Sequence, residues 1–336
     1  PGVALLLLAF IGGAGASAIR PTTFAITIPY NEAWRHANYA IEFDVHVDRV
    51  TLRYRATDGS IHIVRSGMLV PVADRPIQRA MPTIAVPSDA RARQPLQLTL
   101  TSEINHPSIR ILPFDALIRA DAARLMNLDF PLLLFTGLFL SLALGNLTLF
   151  ASFRDRAYMA YAGVMFSDAF IAVRSSPDLF WTWLFPYVSI RYITVHDSSI
   201  LLYSVCLVAF TRGFLSTRHV VPRYDRFLVA MYFVFLAVEV IAHYGLSSVH
   251  LGGIELVDAI YITFLLVPFI AGVLAMRAGS EAARFYLIAS AGVFVSLVVM
   301  DALAFFGHTY PLIIFFGMAW EGMWLIAALG ERVPVS

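Results

Sequence analysis

The sequence contains no lysine, since all 24 of its basic residues are arginine. This absence excludes chemistry that depends on a lysine amine, such as a Schiff base. Charged residues make up only 14% of the 336 residues, against about 25% in soluble domains, while hydrophobic residues make up 59%. The composition predicts a membrane protein with several spans. The formal net charge of +1 gives no reason to expect a nucleic-acid partner.

Cysteine is almost absent too. The single cysteine, Cys206, lies in an apolar stretch, so the sequence offers no intramolecular disulfide and no cysteine cluster for a metal ion. We interpret Cys206 as a buried, inert thiol. The glycine-rich phosphate-binding motifs, the G-x-S-x-G nucleophile motif and the kinase signatures are also missing. We therefore expect no enzymatic activity, no catalytic residue, no metal site and no cofactor within these residues.

The first 18 residues have the composition of a secretory signal. An apolar stretch of about ten residues is followed by small residues that end in Ala16-Ser17-Ala18. This order predicts a cleaved signal peptide over 1–18, whose basic n-region is missing from the sequence. The alternative is an uncleaved membrane anchor. In either case, we expect the residues that follow to be exported.

Residues 19–124 are richer in charge, and apolar and polar residues alternate there. The alternation predicts strands over 41–47, 50–54 and 96–101, and Asp58-Gly59 is a turn motif. Short strands separated by turn residues predict a small all-β domain, either a sandwich or a jelly roll. We interpret five of its arginines as the solvated faces of strands, with binding of an acidic ligand as the alternative: Arg53, Arg55, Arg65, Arg75 and Arg79.

From residue 125 to 332 the sequence is a series of apolar segments with short connections. A helix needs about 20 apolar residues to cross a bilayer. The predicted spans lie near 130–153, 157–174, 193–211, 227–246, 255–276, 285–306 and 311–330. We expect a membrane bundle of seven helices, which a helical connector at 116–128 joins to the β domain. Residues 333–336 are interpreted as the start of a missing cytoplasmic output region.

The placement of arginine predicts the orientation of these spans. Nine arginines lie in the connections on one side or just after the last span, and two, Arg174 and Arg191, lie on the other side. Because positive residues favour the cytoplasmic side, we expect the N-terminal domain outside and the C-terminus inside. Small residues within the spans are interpreted as sites of close helix packing. These are Gly137, Gly145, Gly163 and Gly292.

Ionisable side chains inside predicted spans cost several kcal/mol unless they are paired or hydrated, so each is a candidate for function. Glu239 and His243 are four residues apart on one helical face, and His196 and Asp197 begin the third span at a similar level. The candidate ligand-binding residues are His196, Asp197, Glu239 and His243, with Trp181 and Trp183 from the aromatic outer connection. Further polar residues in the spans are candidates for signalling: Asn146, Asp168, Asp258, Asp301 and Glu321.

Other interpretations of these residues stay open. The four polar residues near the outer side could instead form hydrogen bonds that fix helix packing, or serve a metal site or a proton pathway. The metal interpretation has little support, because no H-E-x-x-H or H-x-x-x-H motif is present. We interpret the tryptophans first as part of an aromatic belt at the membrane interface, with the mouth of a ligand pocket as the alternative.

Local motifs resemble a known family. The segment 137–150, which includes Asn146, is followed by Arg154-Asp155-Arg156 and a tyrosine-containing segment. The segments 283–287 and 317–332 are similar to the start of the sixth span and to the last span of the same family. Upstream, the β-rich region carries 50–54, Asp58-Gly59, Ser66-Gly67, Pro71 and Arg75 in the order of the family's sensor domain. Over about 40–332, the chain resembles the bacterial seven-transmembrane receptors with diverse intracellular signalling modules.

The resemblance implies a sensory receptor of the bacterial inner membrane. Its periplasmic β domain, at 19–124, would sense a small ligand of the carbohydrate class and pass a conformational signal to a cytoplasmic output module, such as a diguanylate cyclase or a histidine kinase. The family also implies a homodimer. A rival interpretation is a small-solute or ion transporter with a relay made of Asp168, Asp197, Glu239 and Asp301. A third is a membrane enzyme built around His196, Asp197, Glu239 and His243.

Overall fold

The computed structural model describes residues 22–29, 31, 34, 38–90, 94–102, 107–176, 178–189, 192–241, 250–251, 254–305, 310 and 312–330. The described part excludes the side chains of 192–194, 196–197, 239–241, 250–251, 254–263, 301, 304–305 and 330. The predicted signal peptide, 1–18, and the predicted start of an output region, 333–336, lie outside the described residues.

The chain divides into two compact units. Unit 1 comprises Pro1–Phe130 and Arg174–His196, and unit 2 comprises Pro131–Val173 and Asp197–Ser336. Unit 1 therefore combines the β-rich region with the connection between the second and third long helices. The predicted domain limits, 19–124 and 125–332, stay predictions.

Unit 1 is built on two antiparallel sheets. Its strands are β1 Thr22–Ile28, β2 Tyr39–Phe43, β3 Val47–Arg55, β4 Ile61–Ser66, β5 Thr83–Ala85, β6 Leu96–Ser102 and β7 Ile109–Pro113. Four strands pair in the order β1-β6-β3-β4, and three pair in the order β5-β2-β7. The two sheets share one apolar core, to which the first contributes Val50 and Leu98 and the second contributes Ile41 and Ile84. The predicted all-β sandwich is thereby confirmed.

One predicted strand is wrong. The alternation over 41–47 predicts a single half-buried strand, but β2 ends at Phe43 and β3 begins at Val47. Between them the backbone turns, with the Val47 N–H donating to the carbonyl of Asp44 at 3.1 Å. The Asp44 carboxylate also accepts from the His46 N–H at 3.2 Å, which is the local bonding by which aspartate favours turns. The polar residue at 44 therefore marks a turn and not the outer face of a strand.

The helices follow the sandwich. They are α1 Phe114–Arg124, α2 Phe130–Phe153, α3 Arg156–Ser175, α4 Tyr192–Phe214, α5 Thr217–Val220, α6 Pro222–Ile241, α7 Leu256–Arg277, α8 Ala282–Phe305 and α9 Leu312–Gly330. A π-helical turn, Leu125–Asp129, connects α1 to α2, so the backbone is helical from 114 to 153. A helix of 19 to 24 residues lies at each of the seven predicted spans.

Three helical stretches in the described part of the chain are long and apolar enough to cross a membrane. They are Phe114–Phe153, Ala282–Met300 and Leu312–Leu329. Ser198–Phe214 and Phe264–Arg277 are apolar but shorter. The helix α3 falls outside this group because it carries Arg156, Asp168 and Arg174 along with several hydroxyl side chains. A bundle with seven membrane spans therefore stays a prediction.

Hydroxyl groups join the helices of unit 2. The Tyr158 hydroxyl of α3 donates to the Leu329 carbonyl of α9 at 2.9 Å, and the Tyr161 hydroxyl donates to the Gly322 carbonyl at 2.8 Å. The Tyr224 hydroxyl of α6 donates to a carbonyl of α7 at 2.9 Å. Because these bonds satisfy polar groups inside an apolar bundle, they hold helices together without burying a net charge.

The predicted role of four glycines is half right. A Cβ on Gly292 would lie 2.2 Å from the Trp320 ring, and one on Gly163 would lie 2.7 Å from the Cys206 sulfur, so both permit close helix approach. Gly137 and Gly145, in contrast, have nothing within 4 Å of a built Cβ among the described atoms. These two face open space on α2 in unit 2, and the packing interpretation is wrong for them.

Candidate functional site

A polar pocket of about 510 Å³ lies at one end of the four-stranded sheet. The outer face of this sheet supplies its floor, because Arg53 pairs with Gln97 on β6 and Arg55 pairs with Ile61 on β4. Side chains of residues i and i+2 point to the same face of a strand, so Arg53 and Arg55 lie side by side. The pocket is lined by Arg53, Tyr54, Arg55, Ile61, Gln94, Pro95 and Gln97.

The chemistry of this lining favours a hydroxyl-rich or anionic ligand. Two guanidinium groups and two primary amides provide donors in fixed planar arrangements, and the lining contains no carboxylate. Ile61 is 48% exposed and Ile63, beside it on the same face, is 57% exposed, so apolar surface is available next to the donors. Burial, followed by the neighbouring Asp89 carboxylate, raises the pKa of Tyr54, whose hydroxyl is hydrogen-bonded to Asp89.

A chain of charged side chains of alternating sign runs through unit 1. Arg110 Nη2 contacts the two carboxylate oxygens of Glu42 at 3.2 and 3.1 Å, and Arg79 lies 4.0 Å from the same carboxylate. Arg79 also forms a bidentate pair with Asp121 of α1, with Nε at 2.8 Å from Oδ2. Glu42 is only 4% exposed and sits in the central strand of its sheet, so the two arginines neutralise a buried charge.

The chain of charges continues from α1 to the connection after α3. Arg124 donates to Asp121 at 3.1 Å, one turn earlier on the helix, and pairs with Asp178. Nearby, the buried Ser176 hydroxyl donates to Asp129 at 2.6 Å. We call the six residues Arg110, Glu42, Arg79, Asp121, Arg124 and Asp178 the ion-pair chain. It joins the sandwich, α1 and the 174–196 connection within unit 1.

Further contacts hold this connection against the sandwich. The Ala73 N–H donates to the Pro186 carbonyl at 3.1 Å, and the Ser189 hydroxyl donates to the Leu69 carbonyl at 2.7 Å. Both contacts use the irregular segment between β4 and β5, which Arg75 stabilises from inside. The Arg75 guanidinium donates to the carbonyls of Val70, Arg79 and Ala80, at 2.7 to 2.8 Å.

Two of the five arginines assigned to solvated strand faces are therefore assigned wrongly. Arg75 is 4% exposed, and burial lowers its pKa to about 10. Arg79 is held in the ion-pair chain. The other three, Arg53, Arg55 and Arg65, are exposed as expected. The alternation gives the wrong assignment for Arg75 and Arg79 because both lie outside strands, in an irregular segment whose carbonyls need internal donors.

The predicted ligand-binding residues are only partly visible in the structure. His196 and Asp197 lie in α4 and Glu239 lies in α6, but their side chains lie outside the described part, as does all of His243. Trp181 is 1% exposed, whereas Trp183, two residues later, is 74% exposed. The two tryptophans therefore do not point into one environment. A ligand site formed by these six residues stays a prediction.

Three of the predicted signalling positions carry buried polar side chains in unit 2. Asp168 of α3 is 0% exposed, and neither of its carboxylate oxygens has a hydrogen-bond partner among the described residues. Glu321 of α9 is 3% exposed and close enough to Asp168 for the two carboxyl groups to interact electrostatically. Asn146 donates to the Leu142 carbonyl at 2.8 Å within its own helix. The side chains of Asp258 and Asp301 lie outside the described part.

The ion-pair chain was not identified from the sequence. Its partners are 42, 54 and 68 residues apart along the chain, and no local spacing connects them. The pair of Asp121 and Arg124, three apart on α1, is the exception that helical spacing could have indicated. In the described part of the chain, no three His, Cys, Asp or Glu side chains come together as metal ligands.

Comparison with protein families decides the identity of the helical region. The sequence model described as 7TM diverse intracellular signalling matches residues 129–332, which is more than half of the chain. The chain belongs to this family. The 7TM diverse intracellular signalling family comprises membrane signalling receptors, so the resemblance inferred from the motifs around Asn146 and Glu321 is confirmed. No curated protein and no solved structure matches the chain.

Proposed function

We propose that the protein is a receptor of the bacterial inner membrane that binds a small extracytoplasmic ligand on its β-sandwich. Its seven helices then carry a conformational signal to a cytoplasmic output module, such as a diguanylate cyclase or a histidine kinase. The ion-pair chain is the observation that carries this proposal. It links the ligand-accessible sandwich to α1, whose helical backbone continues into the first apolar helix.

The ion-pair chain suits a relay because its four inner members, Glu42, Arg79, Asp121 and Arg124, have two partners each. Arg79 contacts both Glu42 and Asp121, and Arg124 contacts both Asp121 and Asp178. A small movement of the sandwich can strengthen one pair at the expense of the next. Coupling between sites in receptors is typically about 1–3 kcal/mol. A ligand causes such a change only when it binds one arrangement more tightly than the other.

The polar pocket on the outer sheet face is the proposed ligand site. Its arginines and glutamines match the hydroxyl and carboxylate groups of an acidic or neutral sugar, which agrees with the ligand class that the family resemblance implies. We further expect a homodimer, an N-terminal domain outside the membrane and a C-terminus inside it. The arginine distribution supports this orientation.

The test of the ligand site uses the full chain in detergent micelles and a panel of neutral and uronate-containing oligosaccharides. We expect at least one sugar to raise the melting temperature. The double variant Arg53→Gln/Arg55→Gln should bind it about tenfold more weakly or worse, because a hydrogen bond to a charged group contributes about 1.5–3 kcal/mol. Arg65→Gln is the matched control, since Arg65 is exposed on β4 but does not line the pocket.

Two results would contradict the ligand assignment: no sugar changes the melting temperature, or Arg65→Gln weakens binding as much as the double variant. The relay is tested separately by hydrogen exchange. Ligand should change the exchange of α1 and of the segment around Asp178, and Asp121→Asn should abolish this change without altering the affinity for ligand. If Asp121→Asn leaves the response intact, the ion-pair chain is not the relay.

A further inference from the structure

A second pocket, of about 590 Å³, lies in unit 2 where α4, α5 and α6 follow one another. It is lined by Arg212, Arg218, Pro222, Asp225, Arg226, Val229 and Ala230. Three of these side chains are cationic and one is anionic, so the lining carries a net positive charge. A concave site of one sign concentrates its field and attracts counter-ions.

Asp225 offsets only one of the three positive charges, and its ion-pair hydrogen bonds go to Arg212. The Asp225 carboxylate accepts from Arg212 Nε at 2.8 Å and from Arg212 Nη2 at 2.9 Å, and from the Thr217 hydroxyl at 2.6 Å. It is 6% exposed. This bidentate pair joins the end of α4 to the first turn of α6 and fixes the shape of the pocket. The first arginine is therefore structural.

Arg218 and Arg226 are available to bind a ligand. Both side chains are exposed, and neither has an ion-pair partner within the described ranges. Their planar guanidinium groups match the oxygens of a phosphate, which arginine binds in a bidentate manner. The pocket thus presents two unneutralised arginines beside an internally paired third.

An exposed apolar stripe on α6 begins at the pocket. Its members recur three or four residues apart, as one helical face requires. They are Phe227, Ala230, Phe233, Val234 and Ala237. Phe227, Phe233 and Val234 are 46%, 60% and 52% exposed. A ligand that combines a phosphate with a hydrocarbon chain would fit both features, with the phosphate at the arginines and the chain along the stripe.

We propose that this pocket binds the phosphate of an anionic phospholipid, with the acyl chain along the exposed stripe of α6. The proposal rests on the membrane placement of the receptor, but not on any ligand for the sandwich. Basic pockets between transmembrane helices on the cytoplasmic side bind anionic lipid headgroups. Phospholipid bound there would hold the α4–α6 corner and so bias the helix arrangement that signals.

The test measures lipid retained by the full chain in a neutral detergent, by native mass spectrometry during titration with phosphatidylglycerol or phosphatidylcholine. We expect phosphatidylglycerol to bind more tightly. The variant Arg218→Gln/Arg226→Gln should lose about thirtyfold in affinity for it, since each arginine near the surface contributes about 1 kcal/mol. Arg223→Gln is the matched control, because Arg223 is exposed on the same helix turn but does not line the pocket.

A second variant protects the test against a folding defect. Arg218→Lys/Arg226→Lys keeps the charge but not the bidentate geometry, so it should lose less affinity than the glutamine variant and keep the melting temperature of the unchanged protein. Inorganic phosphate is added as a competitor, to distinguish a site for a soluble anion from a site for a lipid headgroup. If millimolar phosphate displaces phosphatidylglycerol completely, the site belongs to a soluble anion and the lipid assignment is wrong.

Two further results would overturn the proposal. The first is equal affinity for the two lipids, and the second is an equal loss of affinity in Arg223→Gln, which would indicate diffuse positive charge. None of these measurements depends on a sugar ligand. Failure of the sensor proposal and failure of the lipid proposal are therefore distinguishable.

Discussion

Glu42 of unit 1 and Asp168 of unit 2 are both buried carboxylates, but only the first lies between arginines. In unit 1, Glu42 and Asp121 each lie between arginines. In unit 2, Asp168 and Glu321 are buried without a cationic partner among the described residues. Tyrosine hydroxyls donating to carbonyls join α3 to α9 there, and the ion pair of Arg212 and Asp225 joins the end of α4 to the start of α6.

The two units therefore place carboxyl groups in different surroundings, which are partly exposed ion pairs in unit 1 and an apolar helical bundle in unit 2. Partly exposed ion pairs in unit 1 gain from charge attraction and can exchange partners, which suits an input relay. An unpaired carboxyl group in an apolar bundle is costly, so its presence indicates a functional demand on the helix arrangement. Equivalent substitutions in the two units should therefore have different effects on stability.

The largest effect is expected for Arg79→Ala in the ion-pair chain. Its removal leaves the buried Glu42 with one exposed arginine and leaves Asp121 with Arg124 alone. Removing one partner of a buried pair costs about 3–5 kcal/mol, and the partial exposure of Asp121 places the expected loss near 3 kcal/mol. The loss in free energy of unfolding is measured by urea unfolding of the full chain, with hydrogen exchange of peptides from the sandwich as the readout. An equal loss with Arg65→Ala would contradict the assignment.

The next effect concerns helix packing in unit 2. Gly292→Ala should destabilise the contact of α8 and α9 by about 1–3 kcal/mol, because the new Cβ would overlap the Trp320 ring. Gly137→Ala is the control and should stabilise α2 slightly, since its Cβ meets open space and alanine favours helix. Thermal unfolding in one detergent compares the two. Similar melting temperatures would show that α8 and α9 tolerate separation.

A smaller and opposite pair of effects tests the unpaired carboxyl group directly. Asp121→Asn removes a charge that faces two arginines and should lower the free energy of unfolding by about 1–2 kcal/mol. Asp168→Asn keeps the shape of the side chain but cannot ionise, so it should leave stability unchanged or raise it by about 1 kcal/mol. Thermal unfolding in the same detergent measures both changes in stability. A loss in Asp168→Asn as large as in Asp121→Asn would reveal an undetected cationic partner.

The smallest effect is a pH dependence at the α4–α6 corner. The hydrogen bonds from Arg212 hold the pKa of Asp225 below its usual range. A carboxyl group with a lowered pKa in the folded state stabilises the protein above its unfolded pKa, near 3.9, and loses this contribution as pH falls through the folded value. We expect Asp225→Asn to flatten the decline of melting temperature below about pH 4. An unchanged decline would exclude a role for this pair.

The sequence predicted the elements better than their contacts. The strands at 50–54 and 96–101 and the helices at the seven predicted spans follow from periodicity and length, which are local properties. The turn at Asp44 was missed because the charge at Glu42 looked like an outward-facing position, whereas Arg110 and Arg79 bury it. Trp181 and Trp183 look alike in sequence, yet one is buried and the other exposed.

By itself, the sequence determined the class of the protein. Apolar runs of span length, an alternating region before them and the motifs around Asn146, Arg154-Asp155-Arg156 and Glu321 are visible without coordinates, and they were enough to identify the family. Only the tertiary structure decided which charges are paired. The partners in the ion-pair chain are separated by tens of residues, and desolvation acts on what surrounds a side chain in space. The same reason explains why the burial of Asp168 on α3 and Glu321 on α9 depends on how these helices pack.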